Sequence, residues 1–204
     1  MRKVLLISWS FIKHFYKGHL LLAISMLLIS TVFISYDNLS VIGSAGVLEI
    51  YGTLLGIILF APLIYPEQDK GLWELEKSKK TSMVLHYVIR VVCASLACVI
   101  GISVMLILLH MGNSDIYVWK MMAGGVAELL LIGSISYFFS MITNNVIIGY
   151  MVSTVYYVIN LTNSNLFGKI SLFHMKSGDY TFIWIMYLVS IAILIGGTFI
   201  GEEV

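Results

Sequence analysis

Six long apolar runs take up most of this chain, at about residues 18–36, 45–65, 83–111, 117–141, 146–161 and 180–200. A helical membrane span needs about 20 mostly apolar residues. Lipid offers backbone N–H and C=O groups no partner, so such runs fold as helices or as a closed barrel. No run alternates with a period of two over ten residues, which disfavours the barrel. Composition agrees: 59% of the residues are hydrophobic and 11% charged, with a mean hydropathy of +0.96. A soluble domain carries about 25% charge. The expectation is an all-α integral membrane protein with six transmembrane helices, a single domain over residues 1–204 with little room for a soluble one.

Net charge is +1 and says nothing of nucleic acid, which is not expected as a partner. The placement of the charges is more telling. Arg2, Lys3, Lys13 and Lys17 precede the first run; Lys70, Lys77, Lys79 and Lys80 lie between the second and third, with Arg90 a few turns further on. The opposite side holds Lys120, Lys169 and Lys176. Nine against three is a positive-inside asymmetry that predicts six crossings with both termini cytoplasmic.

Residues 1–17 are not read as a signal peptide, because Ser8, Ser10, Lys13 and His14 interrupt the apolar stretch and no small-residue cleavage site follows. As a helix, the segment gathers Lys3, Ser10, Lys13, His14 and Lys17 on one face, with Leu5, Trp9, Ile12, Phe15 and Tyr16 across the other. That suits a helix lying in the membrane interface; a frayed basic tail is the alternative.

Catalytic signatures are missing. There is no P-loop G-x-x-x-x-G-K-[ST] and no H-E-x-x-H zinc helix. The five histidines are scattered near the predicted boundaries. Ser134, Ser136 and Ser153 have no His or Asp partner on the same helix, and are read as backbone-bonding or close-packing residues. Cys93 and Cys98 are about 500° apart around a helix and do not make a metal site. No catalytic, metal or cofactor site is expected in this chain.

Segment 66–82 is the most charged part of the sequence, with eight charges between Glu67 and Lys80. It also holds Leu72, Trp73 and Leu75. An apolar cluster rimmed by charge suits docking to a protein partner; the same residues would suit rest on lipid headgroups.

The pattern Glu67-x-x-x-Gly71-x-x-Glu74-Leu75, a Ser/Thr-containing stretch and then Arg90 resembles the permease subunits of type-2 ATP-binding-cassette exporters. The interfacial N-terminal helix, the six spans and the cytoplasmic termini fit that family. So does segment 162–179, where Leu166, Phe167, Ile170, Leu172 and Phe173 alternate with polar residues as in a short re-entrant hairpin on the outer side. The sequence departs from many relatives in having Lys79-Lys80 where they carry a proline, and it is short for the family.

The resemblance implies that 66–82 is the coupling helix, with Glu67 and Glu74 pairing with a cytoplasmic ATPase, Leu72, Trp73 and Leu75 as apolar anchors, and Gly71 within the contact. It implies two ATPase subunits that bind ATP-Mg, a second copy or homologous permease, contact with membrane lipid, and a bacterial cell membrane. The implied activity is export of a peptide, drug or lipid-like amphiphile. A six-span solute-binding subunit of a vitamin-type importer is the runner-up, disfavoured by the charged loop. An intramembrane enzyme has no constellation to name.

Three further features remain open. Gly149, Ser153, Tyr156, Asn160 and Asn163 share one face of the fifth span. The resemblance puts that span at the centre of a permease pair, so the face either lines a substrate path or packs helices. Gly52/Gly56 and Gly197/Gly201 are small-residue pairs that permit close helix approach. Glu128 sits near the middle of the fourth span, where a charged acid costs about 2.5–3.5 kcal/mol on insertion scales. It is either functional or bonded to a neighbouring helix, while Glu49, a turn into the second span, is expected to reach water.

Overall fold

A computed structural model describes residues 11–68, 83–162 and 168–203. Among them there is no strand, and five helices are long and apolar enough to cross a membrane. These are α1 (Ile12–Phe33), α2 (Val41–Ile64), α3 (Met83–Met111), α4 (Val118–Thr143) and α6, which runs Ile183–Glu203 and is apolar as far as Gly201. Between α4 and α6 lies α5 (Val146–Thr162), apolar but only 17 residues long. The chain is thus all-helical, with the lengths and composition of a membrane protein.

Local chemistry sets the boundaries. The Ser40 hydroxyl caps α2 by accepting from the Gly43 amide at 3.3 Å, which starts that helix four residues earlier than its apolar run suggests. Asn144 ends α4 in the left-handed region at φ 46°, and the Asn145 carboxamide accepts from Ile147 N at 2.9 Å to begin α5. Helix geometry is continuous from Phe11 into α1, through a π-helical turn at Ile12–Tyr16. The rest of the expected interfacial segment lies outside the described residues.

α4 is the hub. It packs against α2, α3, α5 and α6, and 72% of its most apolar window is buried, as is 78% of that in α2. The corresponding shares for α1, α3 and α6 are 17%, 33% and 22%, and their outward faces present side chains such as Leu28, Ile100 and Leu188. An inner pair sheathed by helices with apolar outsides is an arrangement suited to lipid. Small residues set the spacing within the bundle. A Cβ on Gly56 would lie 2.4 Å from Leu129 O, and one on Gly149 would lie 1.8 Å from Ser140 Oγ, so α2 and α5 each rest directly on α4. Gly52 faces Ile102 of α3, while Gly197 and Gly201 face Tyr137 and Met141 of α4.

The two ends of the bundle are built differently. At one end, Phe11, the end of α2, the start of α3, the α4–α5 turn and the end of α6 come together; Gln68 bonds to Asn144 O and Tyr87 to Gly201 O. At the other, loops 34–40 and 112–117 are laced by Asn38 N to Gly112 O at 2.8 Å, Asp115 N to Leu39 O at 2.9 Å and Ser114 Oγ to Tyr36 O at 2.6 Å. Burial pushes the Tyr36 phenol up from its ordinary value, against the pull of its bond with Ser30. Lys120 stands over the rings of Tyr117 and Tyr180 at this second end, and Trp119 and Trp184 are exposed there. Amphipathic aromatics of this kind mark a bilayer boundary.

Candidate functional site

Glu49 lies about 12 Å along α2 from Val41, and Glu128 about 15 Å along α4 from Val118, at 1.5 Å rise per residue. Both helices start at the laced end, so the two acids lie at a similar distance from it. Each is 1% exposed, and they are close enough to feel one another's charge. Glu49 therefore does not reach water as expected, because residues 168–180 fold inward and cover it.

This covering segment, called the strap below, is non-helical apart from two short 3₁₀ turns, Gly168–Ile170 and Met175–Ser177. Four consecutive backbone amides in it lie by the two carboxyls. Lys176 N donates to Glu49 Oε1 at 2.9 Å; Met175 N also lies near Glu49, and Phe173 N and His174 N lie near Glu128. Glu128 Oε2 has no hydrogen-bond partner among the described residues. The geometry follows from the backbone: Phe173 has φ 70°, and His174 is right-handed at φ −81°, ψ −26°. Left-handed followed by right-handed residues turn successive N–H groups into one concavity, an anion-binding nest. A bulky residue at positive φ costs about 1–3 kcal/mol, which persists only where surroundings enforce it.

Other polar groups complete the anchorage. Asn160 of α5 accepts at Oδ1 from Leu172 N at 2.9 Å and from Ser171 Oγ at 3.0 Å, while its amide nitrogen donates to Tyr156 O at 2.8 Å. The Tyr156 hydroxyl donates to Ile170 O. Tyr157 donates to Ile50 O at 2.9 Å and stacks edge-on against Phe173 at 5.6 Å between centroids. Met175 rests on Gly124, where an added Cβ would lie 2.4 Å from its sulfur. Near the end of the strap, the Asp179 carboxyl is held below the usual carboxylate range by the Thr181 hydroxyl and then the Thr181 amide.

Glu49 also sits in a π-helical turn, Leu48–Gly52, inside α2. Such a turn shifts the backbone pairing by one residue, and π-turns are frequent at functional sites. The carbonyls here take side-chain donors: the Thr53 hydroxyl bonds to Glu49 O, and Tyr157 to Ile50 O.

A second polar cluster lies at the opposite end. Pro62 lacks an N–H, and the chain tightens into a 3₁₀ turn at Ala61–Ile64, which releases carbonyls near the end of α2. Three other helices supply donors: Tyr150 of α5 to Ile58 O at 3.4 Å, Tyr16 of α1 to Leu59 O at 2.8 Å, and Arg90 of α3 to Leu63 O at 3.2 Å. The Arg90 guanidinium, 2% exposed, also lies over Phe11 and Tyr87 at 5.2 and 5.7 Å from their ring centroids.

Among the residues singled out from sequence, Glu128 and Asn160 meet at the strap, with Tyr156 beside them. Ser153 is buried one turn or more away on α5 and donates to Gly149 O at 2.7 Å. Asn163, Gly71, Leu72, Trp73, Glu74 and Leu75 lie outside the described residues, and Glu67 belongs to the short helical turn Tyr65–Gln68. The sequence reading did not pair Glu49 with Glu128, although their similar distances from neighbouring helix starts were a usable signal. The amides of 173–176 had no such signal. Among the described residues no group of three His, Cys, Asp or Glu is placed to hold a metal ion. Comparison with protein-family models, curated proteins and solved structures returned no match.

Proposed function

We propose that this chain is the membrane-spanning subunit of an ATP-driven exporter of the type-2 ATP-binding-cassette kind. In this reading all six helices cross a bacterial cell membrane with both termini in the cytoplasm. The short α5, about 26 Å at 1.5 Å per residue, is the tightest fit to a hydrocarbon core of about 30 Å. Two separate cytoplasmic ATPases bind ATP-Mg and dock on segment 66–82 through Glu67, Gly71, Leu72, Trp73, Glu74 and Leu75. A second copy or a homologous permease completes the pathway, and the cargo is a peptide, drug or lipid-like amphiphile. Ser153, Tyr156, Asn160 and Asn163 belong to the α5 face beside that pathway.

The observation that carries the reading is the brace at the foot of α2 and α3. Segment 66–82 joins these two helices, and Arg90 ties the start of α3 to Leu63 O of α2 and to the Phe11 ring. A push on the segment therefore moves α1, α2 and α3 together, and α2 reaches the buried acid pair. Rigid transmission of this sort is how domain motion at one site becomes a switch at another.

The test is co-expression with any ATP-binding-cassette ATPase found encoded next to this chain. Trp73→Ala and Glu74→Lys are expected to abolish co-purification and the transport-coupled part of ATP turnover. Unchanged co-purification and turnover in both variants would overturn the assignment.

A further inference from the structure

We propose that residues 168–180 form a movable strap over the bundle and that Glu49 and Glu128 are its latch, releasing it as a unit when their hold on amides 173–176 is lost. The inference rests on the geometry of this end of the molecule and not on the transporter reading. It holds for any membrane protein built this way.

Four observations converge. The first is depth: a non-helical segment reaches two acids buried between apolar helices, and irregular backbone among membrane helices is tolerated only if buried in protein or lining a wet cavity. The second is the kind of hold. Lys176 N on Glu49, Leu172 N and Ser171 Oγ on Asn160, and the Tyr156 hydroxyl on Ile170 O are all reversible polar contacts, and the amides of 173–175 lie near the two carboxyls. Apolar anchorage comes from Leu172 and Met175, which are buried, and from Phe173 against Tyr157.

The third is a pair of swivels. Gly168 at φ 56° and Gly178 at φ 75° bracket the strap, and an added Cβ on either would meet nothing within 4 Å. Both stand in open space at a φ that glycine adopts without strain, as suits a hinge position. Between them the strap is closed on itself by His174 Nε2 and Gly168 O at 3.2 Å, so it can lift as one piece. The fourth is the positive φ of Phe173, a conformation that the nest enforces and that relaxes once the carboxyls let go. Lifting would bare both acids between α2, α4 and α5, opening the core toward the laced end.

Hydrogen–deuterium exchange of the full chain in phosphatidylcholine/phosphatidylglycerol nanodiscs tests this directly. In the unmodified protein, amides 173–176 are expected to exchange at least tenfold faster than the core of α4 and at least tenfold slower than an unstructured peptide. Exchange at the α4 rate would mean a fixed part of the core, and exchange at the peptide rate an unlatched loop; either result overturns the proposal without any mutation. Next, Glu49→Gln, Glu128→Gln and the double variant replace a carboxyl oxygen by an NH2 donor while keeping shape. The double variant is expected to speed exchange at 173–176 at least tenfold with α4 and α6 unchanged. A cysteine in place of Leu172, with Cys93 and Cys98 replaced by alanine, should gain labelling by an impermeant maleimide in the same background. Unchanged exchange and labelling in a folded double variant overturn the latch.

Discussion

Buried ionisable side chains are handled in opposite ways at the two ends of this bundle. Glu49 and Glu128 lie under an inserted strap whose Lys176 amide donates to Glu49, whereas Arg90 meets a helix-terminal carbonyl and two ring faces. The difference comes from the backbone. Each residue has one N–H, which a helix already uses, but its C=O has two lone pairs and accepts a second bond. A cation among helices can therefore draw on carbonyls already present, most easily where a proline has loosened the pairing. An anion needs free N–H donors, which helices offer only in their first turn. A pair of acids buried beyond the first turn calls for an element that is not a helix, and the strap is that element.

The largest effect should come from reversing the sign at the strap. Glu128→Lys sets an ammonium against the amides of Phe173 and His174, with Glu49 left to hold the segment alone. Breaking a buried charge arrangement typically costs about 3–5 kcal/mol, so the variant should lose its thermal transition and its monodisperse size-exclusion peak in mild detergent. A loss under about 1 kcal/mol would mean that the amides do not serve the anion, and the contrast between the ends would fail.

Arg90→Met should cost less. The thioether fills much of the space beside Phe11 and Tyr87, and the Leu63 carbonyl is one group deprived of a donor. Losing a partner for one buried polar group costs about 1–3 kcal/mol. Thermal unfolding followed by tryptophan fluorescence should place this variant between Glu128→Lys and the unmodified chain. An Arg90→Met protein less stable than Glu128→Lys would reverse the ranking and show that the cation, not the anion, is the harder charge to accommodate.

How much of this was legible in the residues follows the same division. Side-chain chemistry showed through: the long apolar runs, Glu128 as an acid out of place, and Asn160 on the polar face of α5. Backbone chemistry did not. Ser40 to Gly46 is small and polar enough to resemble a loop, so α2 was expected to begin at residue 45 and Glu49 to sit near water; the Ser40 cap lengthens the helix and buries the acid. The π-helical turn at Leu48–Gly52 leaves no mark in hydropathy. The segment at 162–179 was expected as an outer hairpin, but its register on α2 and α4 depends on N–H groups that every residue except proline carries.

The smallest effect should come from Lys176→Ala, and it separates two accounts of Glu49. The Lys176 side chain is exposed and carries a charge of the right sign, so an ion pair across the strap is the obvious reading. Yet the bond of defined geometry comes from the backbone, Lys176 N to Oε1 at 2.9 Å, and alanine keeps that donor. An exposed ion pair contributes about 0–1 kcal/mol, so Lys176→Ala should shift thermal stability by no more than that and leave exchange at amides 175 and 176 unchanged. Glu49→Gln, which keeps the amides but replaces a carboxyl oxygen by an NH2 donor, should speed that exchange. If the two variants proved equivalent, the ammonium would be holding the acid, and the strap would be an ordinary salt-bridged loop. If only Glu49→Gln loosens the segment, the backbone is the ligand, and the need for a non-helical insertion follows from the acid alone.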